Sequence, residues 1–270
     1  MWSKKYEPAS LDEIVGHDRI IERLESFSRT QSFPNLLISG PTGVGKTVSA
    51  KCFANRLHGE SPDESVLYID DSLNGRGMPI QDRASQFIRA DSRNHIPNLL
   101  IIEHGETLFD DQQDALRALL QQYQQNACVI ITCRNSSEIN QDLQSSCAVF
   151  RFEPVKIDEM VEYIKFVCNK EDIRIERAAL DRIYKIAGGD VRKATNMLQA
   201  VASEKQGRVQ VEDITSLLSH LPSEIMSKMI SEAISSDYDN AVEKLNLITS
   251  SGVSGEKLYQ KYMILYTILI

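Results

Sequence analysis

The sequence predicts an α/β protein in which a parallel sheet, covered by helices on both faces, is followed by segments that are helical throughout. Three observations carry this. The run Gly40-Pro41-Thr42-Gly43-Val44-Gly45-Lys46-Thr47 fits G-x-x-x-x-G-K-[ST], and it stands between an apolar run, Asn35 to Ser39, and a helix-like start, Val48 to Ala54. Four further short apolar runs alternate with helical segments, the pattern of parallel strands buried on both faces. After Glu153-Pro154 the strand-like runs stop and apolar residues recur at helical spacing.

Taken in chain order, residues 10–30 carry a helical pattern through Leu11, Ile14, Val15, Ile20, Ile21, Leu24 and Phe27, with Asp18 placed to cap the segment after Gly16. Phe33-Pro34 breaks it before the first strand. The other strands are expected at Val66 to Asp70, Asn98 to Glu103 (opened by Pro97), Ala127 to Cys133 and Ala148 to Phe152. Within 155–200, Met160, Tyr163, Ile164 and Val167 share one helix face, and Leu180, Ile183, Tyr184 and Ile186 line a second helix. Gly188-Gly189-Asp190 ends that helix and caps the next, Val191 to Ala202. Leu221-Pro222-Ser223 marks a further boundary, and 223–270 is again helical. The chain stops at the apolar run Tyr266 to Ile270, which reads as an end inside a third helical domain. The expected division is 1–153, 154–220 and 221–270.

The 270 residues are 42% hydrophobic and 25% charged, with 13 glycines and 8 prolines, which suits a globular chain with a real core and excludes a fibrous or disordered one. No apolar run approaches the ~20 residues needed to span a bilayer, and the N-terminus lacks a signal-peptide stretch, so the expected location is the cytoplasm. The net charge of −8 argues against a general nucleic-acid binder while leaving room for a local basic track. Cys52, Cys128, Cys133, Cys147 and Cys168 form no C-x-x-C pair and the histidines are scattered, so reduced thiols and no structural zinc are expected.

The glycine loop carries specific chemistry. Glycines let backbone N–H groups close around phosphate oxygens, and the following helix turns its positive end toward them. Lys46 reaches the β/γ-phosphates and Thr47 ligates Mg²⁺. The motif predicts nucleoside triphosphate binding; whether hydrolysis follows is a separate question.

Ordered matches along the chain resemble the small subunit of archaeal and eukaryotic clamp loaders, replication factor C, an AAA+ ATPase assembly. Trp2-Ser3-Lys4-Lys5-Tyr6-Glu7-Pro8 is similar to the family's W-x-x-K-Y-[RA]-P start, and Leu11-Asp12-Glu13-Ile14-Val15-Gly16 to the L-x-x-[IV]-V-G that follows. Ser145 to Phe152 is similar to S-R-C-x-x-F-x-F, Gly189 to Ala194 to the G-D-x-R-x-[AL] of sensor 2, and Arg76-Gly77 to an acidic-Arg-Gly stretch. The resemblance implies an AAA+ P-loop sheet domain, a small helical lid and the start of a helical collar. It implies ATP and Mg²⁺ held by Tyr6, Pro8, Val15 and Gly16 beside adenine, by Gly40, Pro41, Thr42, Gly43, Val44, Gly45, Lys46, Thr47 and Val48 around the phosphates, and by Arg192 from the lid, with Thr47 and Glu103 toward the metal. It implies, as partners, a large subunit, finger-bearing small subunits, a sliding clamp and primer–template DNA.

Three departures fall on hydrolysis. The third strand should end in Asp-Glu, but Glu103-His104-Gly105-Glu106 stands there; Glu103 reaches Mg²⁺ through water, His104 replaces the water-orienting carboxylate, and Glu106 substitutes only if the turn brings it back. The polar sensor 1 position is Arg134, unless a one-residue shift restores Asn135. The family's Ser-Arg-Cys arginine finger is Ser145-Ser146-Cys147. The expectation is therefore an ATP-binding, specialised subunit with impaired hydrolysis and no finger.

In the family, positive charges and helix N-termini track DNA phosphates without reading bases. The candidates here are Arg83, Arg89, Arg93 and Arg117, with Asp82 and Asp91 diluting the first group and Ala118 where relatives often carry a second arginine. A clamp-contacting surface is expected near 72–95 and 107–113. The rivals are an autonomous AAA+ ATPase such as a branch-migration motor or origin factor, disfavoured by 103–106 and 145–147, and a scaffold subunit without nucleotide, disfavoured by the intact loop.

Overall fold

Parallel strands form where Leu, Ile and Val run without interruption, because both faces of each strand are covered. In the computed structural model these are β1 (Asn35–Ser39), β2 (Val66–Asp70), β3 (Asn98–Glu103), β4 (Ala127–Cys133) and β5 (Cys147–Arg151), all parallel, in the order β2-β3-β4-β1-β5. The structure describes residues 1–59, 65–70, 80–89, 96–124, 126–204, 207–219 and 222–250. Arg76-Gly77, Arg93, much of the expected clamp surface and the apolar run 266–270 lie outside the described residues.

Successive side chains of a strand point to opposite faces, and here each face meets its own helices. Leu36, Ile38, Leu99, Ile101 and Ile130 join Phe53 and Leu57 of α3 (Lys46–His58) and Leu24 of α2 (Asp18–Thr30). Leu37, Leu100, Ile102, Val129 and Ile131 join Ala84 and Ile88 of α4 (Ile80–Ile88) and Leu116 and Leu120 of α5 (Asp110–Gln122). Most of these side chains are completely buried, each contributing about 1.5–3 kcal/mol relative to exposure.

The structure departs from the sequence pattern at four points. The pattern over 10–30 is not one helix: a 3-10 turn at Leu11–Glu13 precedes α2, and Gly16 and His17 between them both adopt left-handed backbone, φ +72° and +63°. His17, not Asp18, is the N-cap, and Asp18 is the first helical residue. The fifth strand lies one residue earlier than expected because its pairing with β1 begins at Asn35↔Cys147. Strands also do not stop at 154: β6 (Arg174–Ile175) pairs in parallel with β7 (Arg208–Val209). Two residues are too few to leave a periodic signal.

The described chain packs as two units. The first, Met1–Ile173 with Leu180–Gln199, holds the short α1 (Trp2–Lys5), the sheet and its helices, α6 (Gln141–Ser145), α7 (Ile157–Lys170) and most of α9 (Val191–Glu204). The second takes Arg174–Ala179 and the chain from Ala200 on. It holds the β6–β7 ladder, α10 (Val211–Ser219), α11 (Pro222–Ile234) and α12 (Tyr238–Ser250), with Lys244 paired to Glu232 at 2.7 Å. The helix α8 (Arg177–Ala187) begins in the second unit and ends in the first, buried along Leu180 and Ile183.

All five cysteines are free thiols. Burial raises each of them, Cys133 to about 12 and the other four to about 11. Among the described residues no helix is long and apolar enough to cross a membrane.

Candidate functional site

The carboxyl ends of β1, β3 and β4 lie side by side, and the loop that leaves β1 is pinned to the neighbouring strand: Gly40 N donates to the carbonyls of Cys133 (3.3 Å) and Arg134 (3.1 Å). A Cβ at Gly40 would press into the Phe152 carbonyl, so only glycine admits this approach. Gly43 and Gly45 take φ +73° and +104°, and Gly45 is the N-cap of α3, leaving its first N–H groups free for a ligand. Helix α3 starts at Lys46, two residues earlier than the apolar pattern indicates. Lys46 Nζ donates to the carbonyls of Gly40 (2.7 Å) and Pro41 (2.6 Å). Burial lowers its pKa, while the nearby Glu106 carboxylate works against that shift.

Thr47 Oγ1 donates to Glu103 Oε2 at 3.1 Å, and Lys51 Nζ stands 3.8 Å from Glu103 Oε1. A hydroxyl and a carboxylate in direct contact beside the loop fit Mg²⁺, which takes oxygen ligands and completes its shell from phosphates and water. Among the described residues, no group of three or more His, Cys, Asp or Glu side chains could hold a metal by itself.

Beyond Glu103, a left-handed His104 (φ +57°) opens a 3-10 turn, Gly105–Thr107. Gly105 is buried against Ile131, and a Cβ there would collide with it. This tight turn returns Glu106 to the strand ends. Glu106 Oε1 lies 3.5 Å from His104 Nδ1 and 3.6 Å from Arg134 Nε, while Oε2 is buried without a partner. The condition set for Glu106 on the sequence is met. Asn135 does not join it: its Nδ2 donates to Glu138 at 3.0 Å, and Arg134 lines the site instead.

The loop opens on a cavity of about 570 Å³. Its walls bring together Thr42 to Val48, Glu103, His104, Glu106, Arg134 and Arg192 with Tyr6, Pro8, Ile14 and Val15 of the N-terminal segment. The lid is attached at the loop: Val191 N donates to Gly43 O (3.0 Å), and Asp190 Oδ1 accepts from Lys193 N (2.7 Å) as the cap of α9. The N-terminal wall is attached to lid helices. Glu171 accepts from Lys5 Nζ (2.6 Å) and Tyr6 OH (2.5 Å), Tyr163 OH donates to Tyr6 O (3.3 Å), and Trp2 N donates to Gln199 Oε1 (2.8 Å). The Lys5 and Tyr6 hydrogen bonds hold the Glu171 carboxyl below its ordinary value.

Three residues expected around the ligand are absent from the cavity wall. Gly16 is a buried turn, where a Cβ would meet Glu159 Oε2 at 2.7 Å, and it acts by delivering Ile14 and Val15. Gly40 and Pro41 hold Lys46 through their carbonyls. The sequence reading missed Lys51, Tyr163, Thr195 and Asn196, which line the cavity. The last two had a signal, lying one helical turn beyond Val191 and Arg192 on α9.

At the finger position, Ser146 is half-buried and its Oγ donates to Leu143 O at 2.7 Å. Arg83 on α4 and Arg117 on α5 stand on helices that pack together, both half-buried, with Arg89 exposed just past α4. Arg117 Nε is buried without a partner.

Residues 36–155 match the ATPase family associated with various cellular activities (AAA), and 162–203 match the RCF1/5-like AAA+ ATPase lid domain. The replication factor C small subunit of Staphylothermus marinus is 33% identical over 94% of this chain and 78% of its own length. That of Natronomonas pharaonis is 35% identical over 94% and 78%, and that of Methanococcus vannielii 34% over 95% and 82%. Among solved structures, the Thermotoga maritima RuvB Holliday junction branch migration motor superposes with a TM-score of 0.67, over 97% of this chain and 91% of that one, at 19% identity. At that identity the likeness is one of fold.

Proposed function

Because the chain belongs to the replication factor C small-subunit family of AAA+ proteins, we propose that it is an ATP-binding small subunit of a sliding-clamp loader, working in the cytoplasm on primer–template DNA. The observation that carries this is the cavity whose wall Lys46, Thr47 and Glu103 share with Arg192 of the lid. Lys46 leaves the Gly40 and Pro41 carbonyls for the β/γ-phosphates, the α3 N-terminus receives phosphate oxygens, and Arg192 closes over the γ-phosphate. Thr47 and Glu103 would hold Mg²⁺, whose charge offsets that of the triphosphate. Binding shifts the assembly only as far as the closed lid holds ATP more tightly than the open one. The sheet domain would run to 153, the lid over 154–220 and the collar from 221; Tyr238 and Val242, exposed at i, i+4 on α12, suit packing against other subunits.

Hydrolysis at this site is proposed to be impaired, and the subunit to lack a finger. What supports the first is the replacement of the water-orienting carboxylate by His104 and the engagement of Asn135 with Glu138. What supports the second is Ser146, whose hydroxyl turns back onto its own helix and whose side chain carries no charge. A finger is worth about 10³–10⁵ in turnover. Arg83, Arg89 and Arg117 would contact DNA phosphates. A second reading, slow hydrolysis oriented by Glu106, is favoured by the return of that carboxylate to the cavity.

The test is ATP binding and turnover by the chain alone and mixed with a finger-bearing small subunit, each with and without Lys46→Ala. Tight binding that Lys46→Ala abolishes, with no turnover from this site, supports the first reading. Turnover lost on Lys46→Ala and again on Glu106→Gln supports the second.

A further inference from the structure

Two carboxylates stand at the strand ends in the wall of the cavity, and each faces a cation of this same chain. Glu106 Oε1 lies 3.6 Å from Arg134 Nε, and Glu103 Oε1 lies 3.8 Å from Lys51 Nζ. The second pair falls on the very group that fits Mg²⁺, because the other oxygen of Glu103 accepts from Thr47 Oγ1 at 3.1 Å. Helix geometry brings Lys51 there. It follows Thr47 by four residues on α3, so the two share one face, and helical side chains lean toward the N-terminus. The Lys51 stem therefore runs back along the turn that carries Thr47, and Lys51, Thr47 and Glu103 line one cavity. At 3.8 Å the ammonium opposes the carboxylate charge without being locked to it by a hydrogen bond. The Lys51 side chain is 44% exposed, and its head is a compact charge on a flexible stem.

Resting on the triphosphate reading above, we propose that Lys51 makes ATP binding by this chain nearly independent of Mg²⁺. A carboxylate at the strand end repels an incoming triphosphate unless a cation masks it. Lys51 masks Glu103 whether or not the metal is bound, and Arg134 does the same for Glu106. A metal-free triphosphate then meets Lys46 and Arg192 with neither of these carboxylates unopposed. Lys51 also lowers what Glu103 offers a metal, since a divalent cation there is repelled by the ammonium beside it. The two effects form one linkage: the factor by which the metal strengthens ATP binding equals the factor by which ATP strengthens metal binding. Lys51 lowers that factor from both sides.

Calorimetric titration of the full chain with ATP, in excess Mg²⁺ and in excess EDTA, for wild type and Lys51→Met, tests this. Methionine keeps the helix propensity and most of the stem while removing the charge. Wild type is expected to bind ATP with affinities that agree within about tenfold between the two media. In Lys51→Met the ratio between the media should widen by about tenfold, the size of a half-exposed charge pair after screening, with the loss falling on the EDTA titration. A wild-type ratio above about tenfold overturns the proposal. An equal loss in both media would make Lys51 a plain phosphate ligand or a structural residue, and no change in either would make it idle; both results overturn the proposal too. If Lys51→Met does not fold, Lys51→Gln serves the same comparison. Absence of ATP binding by wild type in both media overturns the triphosphate reading itself, a result distinct from binding seen only with Mg²⁺, which overturns this proposal alone.

Discussion

Gly43→Ala probes the joint between the phosphate loop and the lid. Gly43 sits at φ +73°, where an alanine costs about 1–2 kcal/mol in backbone strain. The new Cβ would also fall within the carboxylate of Asp190, so that side chain must swing away and release Lys193 N, its partner at 2.7 Å. Losing an aspartate N-cap costs about 1 kcal/mol. The sum is about 2–3 kcal/mol of destabilisation. Asp190→Ala alone should cost about 1 kcal/mol, the cap by itself. In the double variant the cap is already gone and only the strain is added, so the total stays at about 2–3 kcal/mol. The two sites should thus be coupled by about 1 kcal/mol. Urea unfolding followed by far-UV circular dichroism on the four proteins measures each quantity. Additive single costs, or Gly43→Ala as stable as wild type, would show that the carboxylate does not fill the space over the loop.

Glu171 is held below its ordinary carboxyl value by Lys5 and Tyr6, so its contribution is complete above pH 4.5 and is lost as pH falls through the lower folded value. The N-terminal segment should loosen over that acid window, read by the emission of Trp2, the one tryptophan; Glu171→Gln should remove the transition, and an unchanged transition would refute the assignment. Ser146→Arg in the mixed assembly should raise turnover at the neighbour's site by at least about tenfold. That gain should survive Lys46→Ala in this chain; no gain would mean position 146 does not face a neighbouring nucleotide. Phe53→Ala empties a fully buried position of α3 packed edge-on against Phe33 at 5.1 Å, and should cost about 3–5 kcal/mol in the same urea assay.

Four of the five main strands could be placed to the residue from sequence, because strands buried on both faces have no polar interruptions and Pro34 and Pro97 mark two of their entries. The glycine loop was equally legible, since its function constrains backbone and side chains together. What stayed hidden depends on φ and on contacts distant in sequence. Nothing local announces that His17 and His104 take left-handed backbone, yet the first turns Ile14 and Val15 toward the cavity and the second returns Glu106 to it. Asn135 and Arg134 are equally polar, and β4 decides between them: its last residue is Cys133, with Arg134 next, at the cavity. Asn196 lay unread because a polar residue inside an amphipathic helix looks like solvated surface until the opposite wall is known.

The state of the cysteines has a practical consequence. Alkylating dyes attack thiolates, and burial keeps all five native sulfurs protonated at neutral pH. The native chain is therefore a nearly dark background for maleimide chemistry. Cysteines introduced at the exposed Arg56 on α3 and Lys185 on α8 can carry a donor and an acceptor fluorophore without first replacing any natural cysteine. Energy transfer between them would follow lid closure in single molecules as nucleotide is added.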